Sequence, residues 1–142
     1  MTQLNPYLTF NGQTEEAFKF YQSIFGGEIR GPMRWADNPQ CGEFSDADKN
    51  KVMHIALPVG DSIIMGSDFV GGMGQEFAEG NNFTVAISPD SREDADRLFA
   101  GLSDGGKAAM PMQDAFWGGY FGALTDKFGI PWMINFDANQ NG

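Results

Sequence analysis

The chain has 142 residues, 42% of them hydrophobic and 13% aromatic, which suits one domain with a sizeable core and excludes an intrinsically disordered polymer. Nine basic against nineteen acidic residues give a net charge of −10, spread along the sequence rather than gathered in a tail. That charge repels phosphate backbones and anionic lipid surfaces, so neither nucleic acid nor membrane is expected as a partner.

The first ten residues lack a basic start and a long apolar run, and no stretch reaches membrane-spanning length. The single cysteine, Cys41, has no partner for a disulfide or a CxxC pair. A cytoplasmic setting is therefore expected, with Cys41 read as a passive loop thiol rather than a nucleophile.

Leu4, Pro6, Leu8 and Phe10 alternate with Asn5, Tyr7 and Thr9, so residues 4–11 predict a half-buried strand. Thr14 is placed to cap a helix whose first turn carries Glu15 and Glu16. Ala17, Phe20, Tyr21 and Ile24 share one helical face, and Gly26-Gly27 ends the run. A strand near 28–35 precedes a polar loop at 36–50, and residues 51–59 and 62–67 predict a hairpin around Gly60-Asp61. The glycine-rich residues 68–81 read as a connection.

A second series follows. Residues 82–88 predict a strand, and Ser91 with Asp94 resembles a capping box with Asp in place of Glu or Gln. Ala95, Leu98, Phe99 and Leu102 supply a buried helical face, and strands are expected near 107–112, 120–125 and 132–136. The polar residues 138–142 read as a frayed tail.

The two series are copies. Glu15, Glu16 and Ala17 stand 78 positions before Glu93, Asp94 and Ala95, while Gly26-Gly27 and Pro32-Met33 stand 79 before Gly105-Gly106 and Pro111-Met112. One residue was gained after the helix. The chain is thus expected to form a single 1–142 domain: repeat one at about 3–67, the connection at about 68–81, and repeat two at about 82–137. Each repeat reads strand, helix, three strands, an α+β pattern of two βαβββ units. Each sheet would have a helix on one face and leave the other needing a partner, so a small-molecule cleft between the repeats is expected.

Several stretches carry a family resemblance: Pro6-Tyr-Leu-Thr-Phe-Asn-Gly12, Glu16-Ala-Phe-Lys-Phe-Tyr21, Phe25-Gly-Gly27, Val52-Met-His-Ile55 and Ile64-Met-Gly-Ser-Asp68. The most specific are Asp114-Ala-Phe-Trp-Gly118, Asp126-Lys-Phe-Gly129 and Trp132-Met133. Together they resemble the vicinal oxygen chelate superfamily of glyoxalase I, bleomycin-resistance proteins and extradiol dioxygenases, and within it the PhnB-like, or 3-demethylubiquinone methyltransferase-like, branch. The resemblance implies a glyoxalase-like curved sheet or incomplete barrel with helices outside, and a homodimer.

Metal-dependent members of that superfamily bind a divalent cation through four positions on the first and last strands of the units. Mapped by motif, these fall at Asn5, near Phe83, at Met65 or Ile64, and at Met133. Thioether and hydrocarbon side chains do not hold Zn²⁺, Ni²⁺, Mn²⁺ or Fe²⁺ against water, so neither a metal nor another cofactor is expected. His54, the only histidine, would need Asp68, Asp114 or Glu43 at no recognisable ligand spacing.

His54 is a weak candidate acid or base, being the only side chain here that titrates near neutrality unperturbed, and packing at a sheet surface explains it as well. Asp114, Trp117 and Tyr120 are candidate pocket residues because a flat apolar surface with N–H, O–H and carboxylate groups can line a ligand site. Packing at a sheet edge is the competing reading. Met65, Trp132 and Met133 join the candidate pocket through the metal-position mapping. Phe69, Met73 and Phe77 read as a cover or dimer contact. No phosphate-binding glycine motif or nucleophile elbow is present.

The residues leave open whether a reaction is catalysed. The leading expectation is metal-independent binding of a small apolar or planar molecule. The alternatives are a metal-dependent glyoxalase or dioxygenase-type enzyme and a bleomycin-type drug-sequestering protein. Methyl transfer on a quinone, suggested by the branch label, lacks a nucleotide loop for S-adenosylmethionine.

Overall fold

The computed structural model describes residues 2–37, 45–70 and 77–137. The chain divides into two compact units, 1–78 and 79–142. In the first, β1 (Tyr7–Phe10) leads to α1 (Thr14–Phe25), β2 (Arg30–Arg34), a 3-10 turn (Trp35–Asp37), α2 (Asp46–Lys49), β3 (Val52–Val59) and β4 (Ser62–Asp68). The second runs β5 (Val85–Ile87), α3 (Arg92–Ser103), β6 (Lys107–Asp114), β7 (Tyr120–Thr125) and β8 (Pro131–Phe136).

The eight strands form two four-stranded sheets of the same topology, ordered β1-β4-β3-β2 and β5-β8-β7-β6. In each, the first strand lies parallel to the last and the other pairs are antiparallel. Strand, helix and three strands therefore recur as the duplicated sequence implies, giving an α+β fold. Of the polar segment 36–50, read as a loop, residues 36–37 and 45–50 are described. These hold the end of the 3-10 turn and, at Asp46–Lys49, α2, whose cap Ser45 accepts a bond from the Asp48 N–H at 3.2 Å. Cys41, Glu43 and Met73 lie outside the described residues.

Helix α1 packs on β3 and β4. Alternation along β3 delivers Ile55 and Leu57 to it, where they meet buried Ala17, Phe18, Tyr21 and Ile24. The approach is close. A Cβ added to Gly66 on β4 would lie 2.7 Å from the Phe18 ring and 2.9 Å from the Leu8 carbonyl oxygen, so only glycine fits. In the second unit α3 covers β7 and β8, burying Ala95, Leu98 and Leu102 with Leu124, Trp132 and Ile134.

Each helix is anchored at its N-terminus, by different means. Ser91 caps α3, accepting from the Asp94 N–H at 3.0 Å as one half of the capping-box reading expects, while the Asp94 carboxylate accepts from Arg97. Thr14 is not the cap of α1. Gln13 holds that position without a side-chain bond, and Thr14 is the fully buried first helical residue. The carboxylate of Asp68 supplies what the cap lacks. Its Oδ1 accepts from the Thr14 N–H at 3.0 Å and hydroxyl at 2.6 Å, while Oδ2 accepts from the Val52 N–H at 2.9 Å. A buried anion there also opposes the positive end of the helix dipole. No described helix is long and apolar enough to cross a membrane.

Candidate functional site

Paired residues in a sheet share a face, so the register sorts the candidate side chains. On the first sheet, Tyr7 pairs with Met65, Met65 with Ala56, and His54 with Met33. Leu8, Phe10, Ile64, Ile55 and Leu57 point the other way, into the core. Tyr7, Met33, His54 and Met65 thus occupy the face that α1 does not cover. His54 is exposed there, with its ring 6.1 Å from that of Tyr7.

On the second sheet, Met110 pairs with Ala123, Ala123 with Met133, and Phe121 with Asn135. These define the face opposite α3. Trp117, on the turn between β6 and β7, stacks edge-on against Phe121 at 5.7 Å and against Phe116 at 5.2 Å. Phe116 is 98% and Trp117 52% exposed. The turn is tied by the Ala115 N–H bonding the Gly119 carbonyl at 2.7 Å and the Gly118 N–H bonding that of Ala115 at 3.0 Å.

Three of the candidate residues do not lie on that face. Trp132 neighbours Met133 in sequence and so points oppositely; it is 1% exposed, and its Nε1–H donates to Asp126 Oδ2 at 2.9 Å. Tyr120 and Asp114 pair with one another on the α3 side of the sheet. There Arg92 Nη1 donates to Asp114 Oδ1 at 2.7 Å and the guanidinium lies 3.9 Å above the Tyr120 ring. The Tyr120 hydroxyl donates to Asp96 at 2.5 Å. The bond from Arg92 holds the Asp114 carboxyl below its usual range, and the bond to Asp96 pushes the Tyr120 phenol up. These groups latch the start of α3 to the sheet edge. His54, Met65, Trp117 and Met133 remain on helix-free faces, two in each unit.

Sequence reasoning missed Asn135. Its Oδ1 is buried with no hydrogen-bond partner among the described residues, on the same face as Phe121 and beside Trp117. A Cβ added to Gly119 would sit 2.5 Å from that oxygen and 2.6 Å from Trp117 Nε1, so both side chains close over the glycine. An acceptor left unmade in this way costs roughly 1–3 kcal/mol. Alternation along β8 was the available signal, since Met133 and Asn135 share a face.

The positions that would ligate a cation do not fit one. Asn5 Oδ1 is engaged by the Ile63 N–H at 2.9 Å, and Ile64 is in the core. Met65 and Met133 offer only thioether sulfur, and Phe83 offers no donor atom. Among the described residues, no three His, Cys, Asp or Glu side chains are grouped to hold a metal.

Comparison with known proteins agrees with this architecture. The family model described as 3-demethylubiquinone-9 3-methyltransferase matches residues 2–135. Protein YjdN of Escherichia coli (strain K12) is 32% identical over 140 residues, covering 93% of each chain. Protein PA1353 from Pseudomonas aeruginosa is 36% identical with a TM-score of 0.85, covering 96% of this chain and 98% of that one. A Bacillus cereus structure described as a putative 3-demethylubiquinone-9 3-methyltransferase, PhnB protein, is 25% identical with a TM-score of 0.74, covering 95% of this chain and 99% of that one. A glyoxalase/bleomycin resistance protein/dioxygenase family enzyme from Burkholderia phytofirmans PsJN shares the fold at 18% identity and a TM-score of 0.62, covering 92% and 95%. With the duplicated βαβββ sheets and the motifs quoted above, these matches make the chain a member of the PhnB-like 3-demethylubiquinone-9 3-methyltransferase family, within the glyoxalase/bleomycin resistance/dioxygenase fold.

Proposed function

We propose that the protein binds a small, largely apolar or planar molecule without a metal ion, as a homodimer in the cytoplasm. One observation carries the reading: exposed apolar side chains gather on the helix-free faces of the sheets. Tyr7 is 50%, Met33 48%, Met110 42% and Trp117 52% exposed, whereas the opposite faces are sealed by α1 and α3. Flexible methionines beside flat aromatic rings adapt to ligands of irregular outline. The cation positions of metal-dependent relatives are filled here by Asn5, Phe83, Met65 and Met133, which favours apolar contact over Lewis-acid chemistry. His54 would serve as a polar anchor at the rim of the first sheet. Homodimer formation follows from the resemblance and suits the exposed edge strand β6.

Thermal unfolding in a chelating buffer, with a panel of planar neutral and cationic compounds, tests this. A ligand at 100-fold its dissociation constant should stabilise the fold by about 2.7 kcal/mol. Stabilisation that appears only when a divalent cation is restored would replace this reading with the metalloenzyme one. Sequestration of a planar cation is the second reading, favoured by the net charge of −10 and the Phe116–Trp117 ring pair.

A further inference from the structure

On the second sheet's helix-free face Met110, Phe121, Ala123 and Met133 offer dispersion contacts, while the polar side chain of Gln113 is exposed to solvent at the edge. Asn135 differs in that its amide oxygen is buried among Phe121, Trp117 and the Gly119 backbone and has no hydrogen-bond partner among the described residues. Every other buried side-chain oxygen discussed above, on Thr14, Asp68 and Asp126, is spoken for by the protein's own N–H or O–H groups. The oxygen also lies beside the turn that carries the exposed Phe116 and Trp117 rings. Phe116 and Trp117 ride on a turn with Gly118 at φ +98° and Gly119 just before Tyr120, and their rings touch each other and Phe121.

We propose that Asn135 is the specificity-determining residue of the second unit, accepting a hydrogen bond from an O–H or N–H at the edge of a flat aromatic ligand that Phe116 and Trp117 cover. This rests on the reading of the protein as a planar-molecule binder and adds to it a chemical class. The ligand is a ring bearing a donor, such as a phenol or an N–H heterocycle, and not its O- or N-methylated counterpart. The methylated compound matches the apolar surface equally but leaves the Asn135 oxygen unpaired, and a site with a buried acceptor discriminates against partners that cannot satisfy it. Binding requires Trp117 to swing outward about the Gly118–Gly119 hinge and settle on the ring's face.

The test is calorimetric titration of the full chain with 2-naphthol and with 2-methoxynaphthalene. Wild-type protein is expected to bind the naphthol on the order of tenfold more tightly, the value of one buried hydrogen bond. Asn135→Leu, similar in shape and apolar, should bind the two compounds within about twofold of one another, and Asn135→Asp, which keeps an acceptor, should retain the preference. Trp117→Ala should weaken both compounds alike. Because Asn135→Leu removes an unsatisfied group, its thermal midpoint should not fall; a marked fall would mean the oxygen already has a partner and would overturn the inference. Equal wild-type affinity for the two compounds overturns it while leaving planar-molecule binding intact. Failure of both compounds to bind, with a stabilising hit elsewhere in the planar panel, overturns the donor-bearing class; failure of the whole panel overturns the underlying reading as well.

Discussion

Each unit buries one aspartate, and its oxygens are occupied by donors from that same unit. Asp68 holds Thr14 and Val52, and Asp126 accepts from the N–H groups of Phe128 and Ile130, at 2.8 and 3.1 Å, and from the indole of Trp132. A carboxylate so placed is a structural tie and not a spare acid. Asp68→Ala would strand two N–H groups and a hydroxyl in the core, and the expected loss of stability is about 3–5 kcal/mol by urea denaturation. A loss under about 1 kcal/mol would show that the tie is not what seats α1. At the edge of the second sheet, Tyr120 offers a pH readout. Its hydrogen bond to Asp96 raises the phenol's folded-state pKa above the unfolded value, so the stability it adds is complete below the ordinary tyrosine range and is lost as pH rises through the raised value. Ultraviolet difference titration of wild type against Tyr120→Phe should place this phenol above the usual pKa of about 10; titration at or below that value would contradict the bond.

At the scale of elements, the helices and hairpins were legible because their periodicity and caps are local. Strand β7 falls at the expected 120–125, and α3 begins just after the predicted Ser91 cap. Ser91→Ala should cost about 1 kcal/mol in thermal or chemical unfolding, since the Asp94 N–H would lose its acceptor; an unchanged stability would mean water replaces the hydroxyl without penalty. The corresponding expectation at Thr14 went astray for a physical reason. The anchor of α1 comes from Asp68, 54 residues further along, and no local window contains it. Strand ends were overestimated where side chains take over from the ladder. Residues 4–6 precede β1: Asn5 accepts from the Ile63 N–H with its side chain, and the backbone ladder starts with the Pro6 carbonyl, which accepts from the Met65 N–H at 3.0 Å. The candidate site was legible only in part, and for the same reason. Parity along β8 separates Met133 from Trp132, but grouping both into one pocket followed motif adjacency instead of alternation. Asp114 and Tyr120 were drawn into the pocket by their closeness in sequence to Trp117, whereas pairing across β6 and β7 carries them to the helix side.

Across the whole molecule, the repeat spaced at 78 and 79 residues in the sequence reappears as two sheets with one strand order. Architecture is set by apolar spacing and glycine positions, which duplication copies faithfully. Chemistry is set by single side chains, and these have diverged between the copies: His54 and Tyr7 stand on one helix-free face, Trp117, Phe121 and Asn135 on the other. The net charge of −10 acts on both. A planar cation should therefore bind more weakly as salt is raised from 0.01 to 0.15 M, where the screening length shortens from about 30 to 8 Å, while a neutral ring of the same size should not. Equal salt response for the two would remove electrostatic attraction from the account.

The contrast between Trp132 and Trp117 gives the protein built-in optical reporters. One indole is sealed against Asp126 in the interior of the second unit and the other stands half in solvent over the sheet. With Trp35 replaced by phenylalanine, the short-wavelength, quencher-resistant part of the emission would follow melting of that interior. The long-wavelength part, open to acrylamide, would follow occupancy of the aromatic surface, so that folding and ligand capture could be watched separately in one cuvette.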